Sequence, residues 1–371
     1  MRVCLDCTPF LVRSAGVKSY LFYLDRYLRA TAEGREVCNF PFLAQPAGLR
    51  HDVPALGRLG SLARAAFATR LHRPWNPVSK WATRRADVFH ASNLVRYAPS
   101  GVALTTTVHD LTSLLMPELH TPQTIAADRA FITQIVTPAR RVIAVSNRTK
   151  QDLLANVRIP EEKISVIYSG VREEYFLGDP ADGASVRARH GLTRPYVLFV
   201  GTLEPRKNLG RLLDAYSIMR PSVRAEFDLA LVGMPGWLNK EEKARVLRQT
   251  AGVRRLGYVA EEDIPAILAG ATVFAFPSLY EGFGFPVVEA LAAGVPVLTS
   301  NVASLPEVGG EAACYVDPLS VDEITTALER LLTSPAERSA MSERGRVQAC
   351  KFSWTECARQ TWAVFEEAAG G

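Results

Sequence analysis

Two glutamates flank a short glycine-rich segment in the last third of the chain, within SLYEGFGFPVVEALAAG. Glu281 directly precedes Gly282 and Gly284, and Glu289 lies in the helix that the following residues predict. Glycines at a helix start let the backbone approach a ligand closely, and the positive end of the helix dipole favours a phosphate there. The two carboxylates would accept hydrogen bonds from sugar hydroxyls on either side of that phosphate. The pattern therefore predicts a nucleotide-sugar site.

The glycine spacing does not fit the two common phosphate-binding motifs. The stretch lacks the third glycine of a dinucleotide fingerprint, and no Gly-Lys-Ser/Thr is present that would make a P-loop. In this interpretation, Glu289 suits the vicinal diol of a ribose and Glu281 suits hydroxyls of a second sugar. Each glutamate alone would also fit a solvated or capping residue, but the combination with the glycines favours binding.

A second anion site is predicted about 75 residues earlier. The sequence YVLFVGTLEPRKNLG predicts a strand, a turn at Gly201 and Thr202, and a helix with Asn208 at its N-cap. Arg206 and Lys207 precede that helix, and two cations there suit a diphosphate. No Asp-x-Asp occurs in the chain, so we expect neither a carboxylate-held metal nor a cofactor. The two cations would then neutralise a departing diphosphate.

Short β-branched runs alternate with helical patterns along the whole chain. Strand candidates include RVCLD, DVFHA, ALTTTVHD and RVIAVS in the first half, and YVLFVG, DLALVG, TVFAFPS and VPVLTS in the second. Such alternation predicts an α/β fold with two doubly wound parallel-sheet domains. The polar stretch 172–194 is the predicted linker. A ligand cleft would lie between the carboxyl ends of the strands of the two domains.

The composition is typical of a soluble enzyme, with 48% hydrophobic and 22% charged residues among 371. No apolar run reaches the length of a membrane span, and the polar start does not resemble a signal peptide, so we expect a cytoplasmic protein. Cys4 and Cys7 lack the second pair or the nearby histidine that a zinc site would need. They are interpreted as buried thiols.

Residues 50–87 carry most of the excess positive charge. Eight basic residues stand there against Asp52 and Asp87, which gives +6, whereas the whole chain has +5. The partner would be anionic: a membrane surface, a phosphate-bearing acceptor or nucleic acid. Because arginines surround an apolar helical face, we interpret the segment as a peripheral contact with the inner face of the cell membrane, against the alternative of a solvated basic face. No recognised nucleic-acid motif is present, and we expect no nucleic-acid partner.

The stretch from Tyr196 to Pro318 closely resembles the nucleotide-binding half of the retaining glycosyltransferases of family 4, which have the GT-B fold. Matching segments include FVGTLEPRKNL, LVGMPGW and EGFGFPVVEALAAGVPVLTS, and Glu281 with Glu289 forms the family's Glu-x7-Glu pattern. Weaker matches in the first half are AGVKSYLFYL, VHDL and AVSNRTKQDLL, so that nearly the whole chain is covered.

The resemblance implies two Rossmann-like domains facing across a cleft. Residues 1–170 would form the acceptor-binding domain and 171–346 the nucleotide-sugar-binding domain. Residues 347–371 would form a terminal helix that crosses back to the first domain.

The family pattern also implies roles for individual residues. Glu289 would bind the ribose, Glu281 a hydroxyl of the donor sugar, and Arg206 with Lys207 the diphosphate. His109, at the end of a strand, would face the transferred sugar, although a lone histidine also fits a structural role. His109, Glu281, Arg206 and Lys207 form the implied catalytic set. The other implied donor-binding residues are Gly16, Gly201, Thr202, Gly233, Tyr258, Val259, Phe283, Gly284 and Phe285.

The sequence departs from the family pattern at two places. The double glycine after the first strand is Ala15-Gly16, and the usual Asn-Gly-Val-Asp near the domain boundary is Ser-Gly-Val-Arg at residues 169–172.

The function implied by the resemblance is metal-independent, retaining hexose transfer. The donor would be a nucleoside-diphosphate sugar, with GDP-mannose as the leading candidate. The acceptor would be a hydroxyl of a glycan or lipid-linked saccharide in cell-surface polysaccharide synthesis. The alternatives are a transferase that uses a UDP-sugar on a soluble acceptor, a non-catalytic nucleotide-sugar-binding protein, and a glycosidase. A glycosidase would leave the phosphate-suited glycines and the Arg206–Lys207 pair unexplained.

Overall fold

A computed structural model describes residues 1–11, 16–40, 80–81, 83–177, 183–234, 236, 238, 240–247 and 250–370. By its internal contacts the chain divides into two compact units, one formed by Met1–Gly170 with Ser353–Gly371 and the other by Val171–Phe352. Most of the basic segment 50–87, and with it the predicted apolar helical face, lies outside the described residues.

The first unit is built on a six-stranded sheet in the order β2-β1-β3-β4-β5-β6, with every neighbouring pair parallel. Its strands are β1 (Arg2–Asp6), β2 (Glu36–Phe40), β3 (Val88–Ala91), β4 (Ala103–Val108), β5 (Arg141–Ala144) and β6 (Ile164–Val166). Its described helices before residue 170 are α1 (Gly16–Ala30), α2 (Thr112–Leu115), α3 (Pro122–Phe131, continued by a π-helical turn at Ile132–Val136) and α4 (Asn147–Asn156).

The second unit contains another six-stranded parallel sheet, in the order β12-β11-β10-β7-β8-β9. Its strands are β7 (Tyr196–Val200), β8 (Asp228–Val232), β9 (Val253–Gly257), β10 (Val273–Phe276), β11 (Val297–Ser300) and β12 (Ala313–Val316). Its described helices are α5 (Ala184–Arg189), α6 (Leu209–Ile218), α7 (Pro221–Glu226), α8 (Lys240–Leu247), α9 (Ile264–Ala269), α10 (Phe285–Ala292), α11 (Leu305–Gly309), α12 (Val321–Thr333) and α13 (Pro335–Ala349). The last helix, α14 (Trp354–Gly370), belongs to the first unit.

Most strands form where the sequence has short runs rich in apolar and β-branched residues. All residues of β3, β8 and β10 are buried, as expected when helices cover both faces of a parallel sheet. The helices instead bury one stripe: in α12, Ile324, Leu328 and Leu331 are buried at helical spacing. The prediction of two doubly wound parallel sheets is confirmed. Among the described helices, none combines the length and the apolar character needed to span a membrane.

The interpretation of residues 172–194 as a linker is wrong for the residues that the structure describes. They belong to the second unit, and α5 lies within them. Arg172 and Tyr175 are buried, and His190 Nε2 lies 2.8 Å from an Asp263 carboxylate oxygen. The polar composition was misleading because these polar side chains pair with other groups of the same unit.

Candidate active site

The strand order of the second sheet reverses between β7 and β10, which are hydrogen-bonded neighbours. In doubly wound sheets, ligands bind outside the carboxyl ends of the strands at such a reversal. Arg206 and Lys207 follow β7, and Glu281 follows β10. The topology therefore brings the two predicted anion-binding segments to one edge of one sheet.

The loops after β7 and β10 are joined by hydrogen bonds to the main chain. The Leu279 amide donates to the Arg206 carbonyl at 2.8 Å, and the Ser278 hydroxyl oxygen lies 3.0 Å from the same carbonyl oxygen. In return, the Arg206 guanidinium donates to the Tyr280 carbonyl at 2.7 Å. These bonds fix the position of both loops relative to the sheet edge.

Asn208 occupies the predicted N-cap position of α6 and also supports the same edge. It adopts a left-handed conformation, with φ of 58°, and its side chain makes no capping bond to α6. Its Nδ2 instead donates to the carbonyls of Pro277 at 2.9 Å and Pro318 at 2.6 Å. Asn208 therefore stands at the predicted N-cap position, but its side chain holds neighbouring loops instead of capping α6.

Glu281 is 6% exposed, and cations hold both of its carboxylate oxygens. Lys207 Nζ donates to Oε1 at 2.7 Å, and Arg206 Nη1 donates to Oε2 at 2.8 Å. The Ser278 hydroxyl also donates to Oε1, at 2.7 Å. These three donors from the described residues face about four acceptor positions on a carboxylate, which leaves Oε2 able to accept from a ligand hydroxyl.

The protonation state of Glu281 follows from these contacts. Burial by itself raises the pKa of the carboxyl group, but the charges of Arg206 and Lys207, with the bonds from Lys207 and Ser278, outweigh it and lower the pKa to about 2. Glu281 is therefore ionised near neutral pH and can only accept hydrogen bonds. A glycosidase needs a carboxylic acid that keeps its proton near neutral pH, and Glu281 does not fit that role.

The two cations have further contacts. Arg206 Nη2 donates to Glu204 at 2.8 Å, so this guanidinium binds two carboxylates. Lys207 Nζ lies over the ring of Phe276, the last residue of β10, at 5.1 Å from the ring centroid. Each cation is thus matched by a carboxylate within the described structure, and the cluster is compact and close to neutral before any ligand binds.

Helix α10 begins beside this cluster. Gly284 precedes it with φ of 107°, where a side chain would be strained and a Cβ would lie 3.0 Å from Leu305. Phe283 packs edge-on against Phe285 and Phe352, so its ring belongs to the hydrophobic core. The Ser304 hydroxyl donates to the Phe283 carbonyl at 2.9 Å. The helix start, where the backbone contacts were predicted, is therefore firmly positioned.

Glu289 lies within α10 and is partly buried, with 20% of its side chain exposed. Its Oε1 is 4.0 Å from Nη2 of Arg172. The same nitrogen lies 2.8 Å from Oε1 of Glu261.

The predicted glycines after β7 and β8 are in close contact. Gly233 has φ of 155°, and a Cβ there would lie 1.8 Å from the Gly201 carbonyl oxygen. Only glycine permits this approach. Thr202 follows Gly201, and beyond β9 Tyr258 is 36% exposed while Val259 is buried. The structure thus brings these residues to the loops at the carboxyl ends of β7, β8 and β9.

His109 and Gly16 belong to the first unit and are described there. His109 directly follows β4, and its ring lies 4.8 Å from that of Tyr20 in an edge-to-face arrangement. Burial lowers the pKa of His109 to about 4, against the opposing effect of Asp110, so the imidazole is neutral near neutral pH. Gly16 is the first residue of α1.

Sequence interpretation missed three side chains of the second unit. Ser278 binds Glu281, and Glu204 binds Arg206. In the sequence, a serine and a glutamate after a strand are equally typical of turns and give no signal. Arg172 was noted only as a departure from the family pattern. Among the described residues, no three His, Cys, Asp or Glu side chains are grouped as metal ligands.

Two family models match the chain. The model described as Glycosyl transferases group 1 matches residues 185–348, and the model described as Glycosyltransferase Family 4 matches residues 14–175. O-antigen chain mannosyltransferase B of Escherichia coli is 34% identical over 287 residues, which cover 76% of this chain and 75% of that protein. MMP alpha-(1->4)-mannosyltransferase of Mycolicibacterium hassiacum is 34% identical over 236 residues, covering 61% of this chain and 54% of that protein.

Solved structures share the fold over the full length. WaaG, a glycosyltransferase involved in lipopolysaccharide biosynthesis, aligns with a TM-score of 0.69 at 17% identity and covers 100% of both chains. HepE of Anabaena, in complex with UDP and glucose, aligns with a TM-score of 0.69 at 18% identity over 99% of both chains. At these identities the likeness shows the GT-B fold alone. Together with the sequence relatives, it establishes that the chain belongs to the family 4 glycosyltransferases and is similar to their mannosyltransferase members.

Proposed function

We propose that the protein transfers a hexose from a nucleoside-diphosphate sugar to a hydroxyl of a glycan or lipid-linked saccharide in cell-surface polysaccharide synthesis. The reaction retains the anomeric configuration and needs no metal ion. Mannose from GDP-mannose is the leading donor, because the Escherichia coli and Mycolicibacterium relatives are named mannosyltransferases. A UDP-sugar is the competing donor, since the HepE structure contains UDP and glucose.

The observation that carries this proposal is the pairing of one ionised carboxylate with two cations at the reversal point of the second sheet. A Lys207 ammonium has three N–H donors, and among the described residues its hydrogen-bond acceptor is Glu281. Donors therefore remain for phosphate oxygens. Oε2 of Glu281 can accept from a sugar hydroxyl, so one cluster supports binding of both the diphosphate and the hexose.

The transfer step balances with the groups in this site. When the bond between the anomeric carbon and the diphosphate oxygen breaks, its electron pair stays on the diphosphate. Arg206 and Lys207 stabilise that developing charge. The acceptor oxygen bonds to the anomeric carbon on the same face, and the acceptor proton passes to the leaving diphosphate. Glu281, ionised, accepts from a sugar hydroxyl and favours the positive charge of an oxocarbenium-like sugar.

His109 contributes as a neutral imidazole. With its pKa lowered to about 4, it offers one N–H donor and one acceptor nitrogen near neutral pH. In the proposed complex it hydrogen-bonds a hydroxyl of the transferred hexose, the role implied by the family resemblance. Backbone contact of Gly16 with the diphosphate is part of the same proposal.

On the acceptor side, we place the enzyme in the cytoplasm at the inner face of the cell membrane. The support is the charge of +6 over residues 50–87, calculated from eight basic and two acidic side chains. Anionic lipid would attract such a segment, at about 1 kcal/mol for each basic residue near the surface.

A donor screen tests the proposed function. Thermal unfolding is followed with GDP, UDP, GDP-mannose and UDP-glucose, since a ligand at a hundred times its dissociation constant stabilises by about 2.7 kcal/mol. We expect the nucleotides of one base to raise the unfolding temperature of the protein clearly. When a membrane glycan extract is added, the sugar nucleotide of that base should release its nucleoside diphosphate. Absence of stabilisation by every nucleotide would contradict the proposal. Stabilisation without turnover would indicate a non-catalytic binding protein.

A further inference from the structure

Arg172 is a buried cation that faces two carboxylates. Its side chain is 8% exposed, and its Nη2 lies 2.8 Å from Oε1 of Glu261 and 4.0 Å from Oε1 of Glu289. The two acidic side chains are 19% and 20% exposed, respectively. Glu261 follows β9 and Glu289 lies in α10, so one guanidinium joins two elements of the second unit.

Tyr175 also holds the guanidinium in place. The Tyr175 ring lies 4.4 Å below the guanidinium carbon, and Arg172 donates to the phenol oxygen. A 3-10 turn at Glu173–Tyr175 brings the two residues together, with the Tyr175 amide donating to the Arg172 carbonyl at 3.2 Å. Burial and then the charge of Glu289 raise the pKa of Tyr175 well above its usual range, so the phenol stays protonated.

The positive charge of Arg172 acts on both carboxylates. Without it, Glu261 and Glu289 would repel each other and lose the attraction of this cation in a partly desolvated place. The aspartate of the family pattern at this position would add a third carboxylate where this chain has a cation. The guanidinium, held by Tyr175 and Glu261, can keep its positive charge 4.0 Å from Glu289 while Glu289 binds a ligand.

We propose that Arg172 is the positioning residue of the ribose site: its charge attracts the Glu289 carboxylate and keeps it directed toward the two ribose hydroxyls of the donor. This inference rests on the proposed function, because it takes Glu289 as the ribose acceptor. Arg172 itself acts through Glu289 and has no contact with the reacting atoms. The substitution Arg172→Gln should therefore affect donor binding through the ribose hydroxyls and leave the transfer step unchanged.

The test is a thermodynamic cycle between the side chain and the ligand. Calorimetry measures binding of GDP, UDP and their 2′,3′-dideoxy analogues to wild type and to Arg172→Gln. For the diphosphate that wild type binds, we expect Arg172→Gln to weaken binding about tenfold, and to weaken its dideoxy analogue by about twofold or less. With the sugar nucleotide as donor, KM rises in the variant and kcat stays the same.

Two further variants keep the test decisive. Arg172→Lys retains the charge without the planar fork, and should show a smaller loss that again depends on the ribose hydroxyls; it replaces Arg172→Gln if that variant does not fold. Arg220→Gln is the matched control, because Arg220 pairs with Glu329 at 2.8 Å before the amino end of β8. It should change neither affinity.

The outcomes separate the two proposals. If Arg172→Gln weakens binding of the diphosphate and of its dideoxy analogue equally, the positioning role is overturned and the proposed function stands. Such a result would mean that the substitution damages the second unit in general. Failure of wild type to bind any nucleoside diphosphate would overturn the proposed function, and the inference with it. A loss confined to the ligand that carries ribose hydroxyls supports both.

Discussion

Lys207 Nζ and Oε1 of Glu281 form an ion pair at 2.7 Å across 74 residues of sequence. Arg206 holds the other oxygen of the same carboxylate at 2.8 Å. Two segments that each look like a separate anion site are therefore one electrostatic unit. Substitution of either partner changes the charge that the other presents to a ligand, and this coupling determines the expected behaviour of the variants.

The two glutamates should differ in the step that they affect. Glu289→Ala removes the acceptor for the ribose and should weaken nucleoside-diphosphate binding by roughly ten- to hundredfold, the value of one or two bonds to a charged group. Glu281→Ala leaves both cations in place, so it should keep or raise that affinity and lower turnover by a similar factor. Calorimetry and initial rates measure both. Equal loss of nucleotide affinity in the two variants would contradict these assignments.

Glu281 should also make stability depend on pH. Its folded-state pKa of about 2 lies below that of an unfolded glutamate, so the unfolded chain binds a proton first as the pH falls. The contribution of ionised Glu281 to folding stability is fully present above about pH 4.5 and is lost as the pH falls from there to about 2. At about pH 6, 4 and 3, urea titration of wild type and Glu281→Gln should show a difference in unfolding free energy that shrinks with acid, by about 3 kcal/mol over the whole window. A difference independent of pH would show that the pKa is not depressed.

Transfer should survive removal of divalent metals. Arg206 and Lys207 supply the positive charge that a metal would otherwise provide to the diphosphate. The check is the initial rate in excess EDTA, with added magnesium or manganese as the comparison. Complete loss in chelator that either metal restores would mean that the two cations are insufficient.

The basic segment should bind anionic membranes. In sedimentation with anionic and with neutral liposomes, the protein should bind the anionic ones only, because basic residues are attracted to anionic lipid. The measurement is made at low salt, since salt screens this attraction. Changing Arg58, Arg64, Arg70 and Arg73 together to Gln should abolish that binding without affecting nucleotide affinity. Equal and negligible sedimentation of wild type with both liposome types would remove the membrane proposal and leave the transferase proposal intact.

The fold was predictable because short β-branched and apolar runs alternate with helical patterns along the chain. RVCLD, predicted from that pattern, is β1 at Arg2–Asp6, and the run VFAF lies fully buried in β10. The segment 172–194 was mistaken for a linker because its polarity resembles that of a loop. Burial of Arg172 depends on Tyr175 and on Glu261, which lies 89 residues further along the chain. Such a distant pairing leaves no local pattern.

For the candidate site, the sequence pattern picks out two segments that the structure brings together, but not the side chains that join them. Glycine and charge patterns identified the regions around Arg206 and Glu281, since local geometry limits the residue types there. The contact between them depends on β7 and β10 being neighbours, which follows from the order of strands rather than from either segment. For the same reason the sequence predicts the N-cap position of Asn208 but not its side-chain contacts, because its acceptors are the carbonyls of Pro277 and Pro318 in other loops.

The most direct test of the account is the dependence of binding on Lys207 and on the diphosphate together. Calorimetry compares the preferred nucleoside diphosphate with its nucleoside, on wild type and on Lys207→Met, with Arg220→Gln as control. Lys207→Met should weaken binding of the nucleoside diphosphate by roughly ten- to hundredfold and binding of the nucleoside by about twofold or less. Equal weakening of both ligands, or unchanged affinity for the diphosphate, would contradict the claim that the Lys207–Glu281 cluster holds the donor.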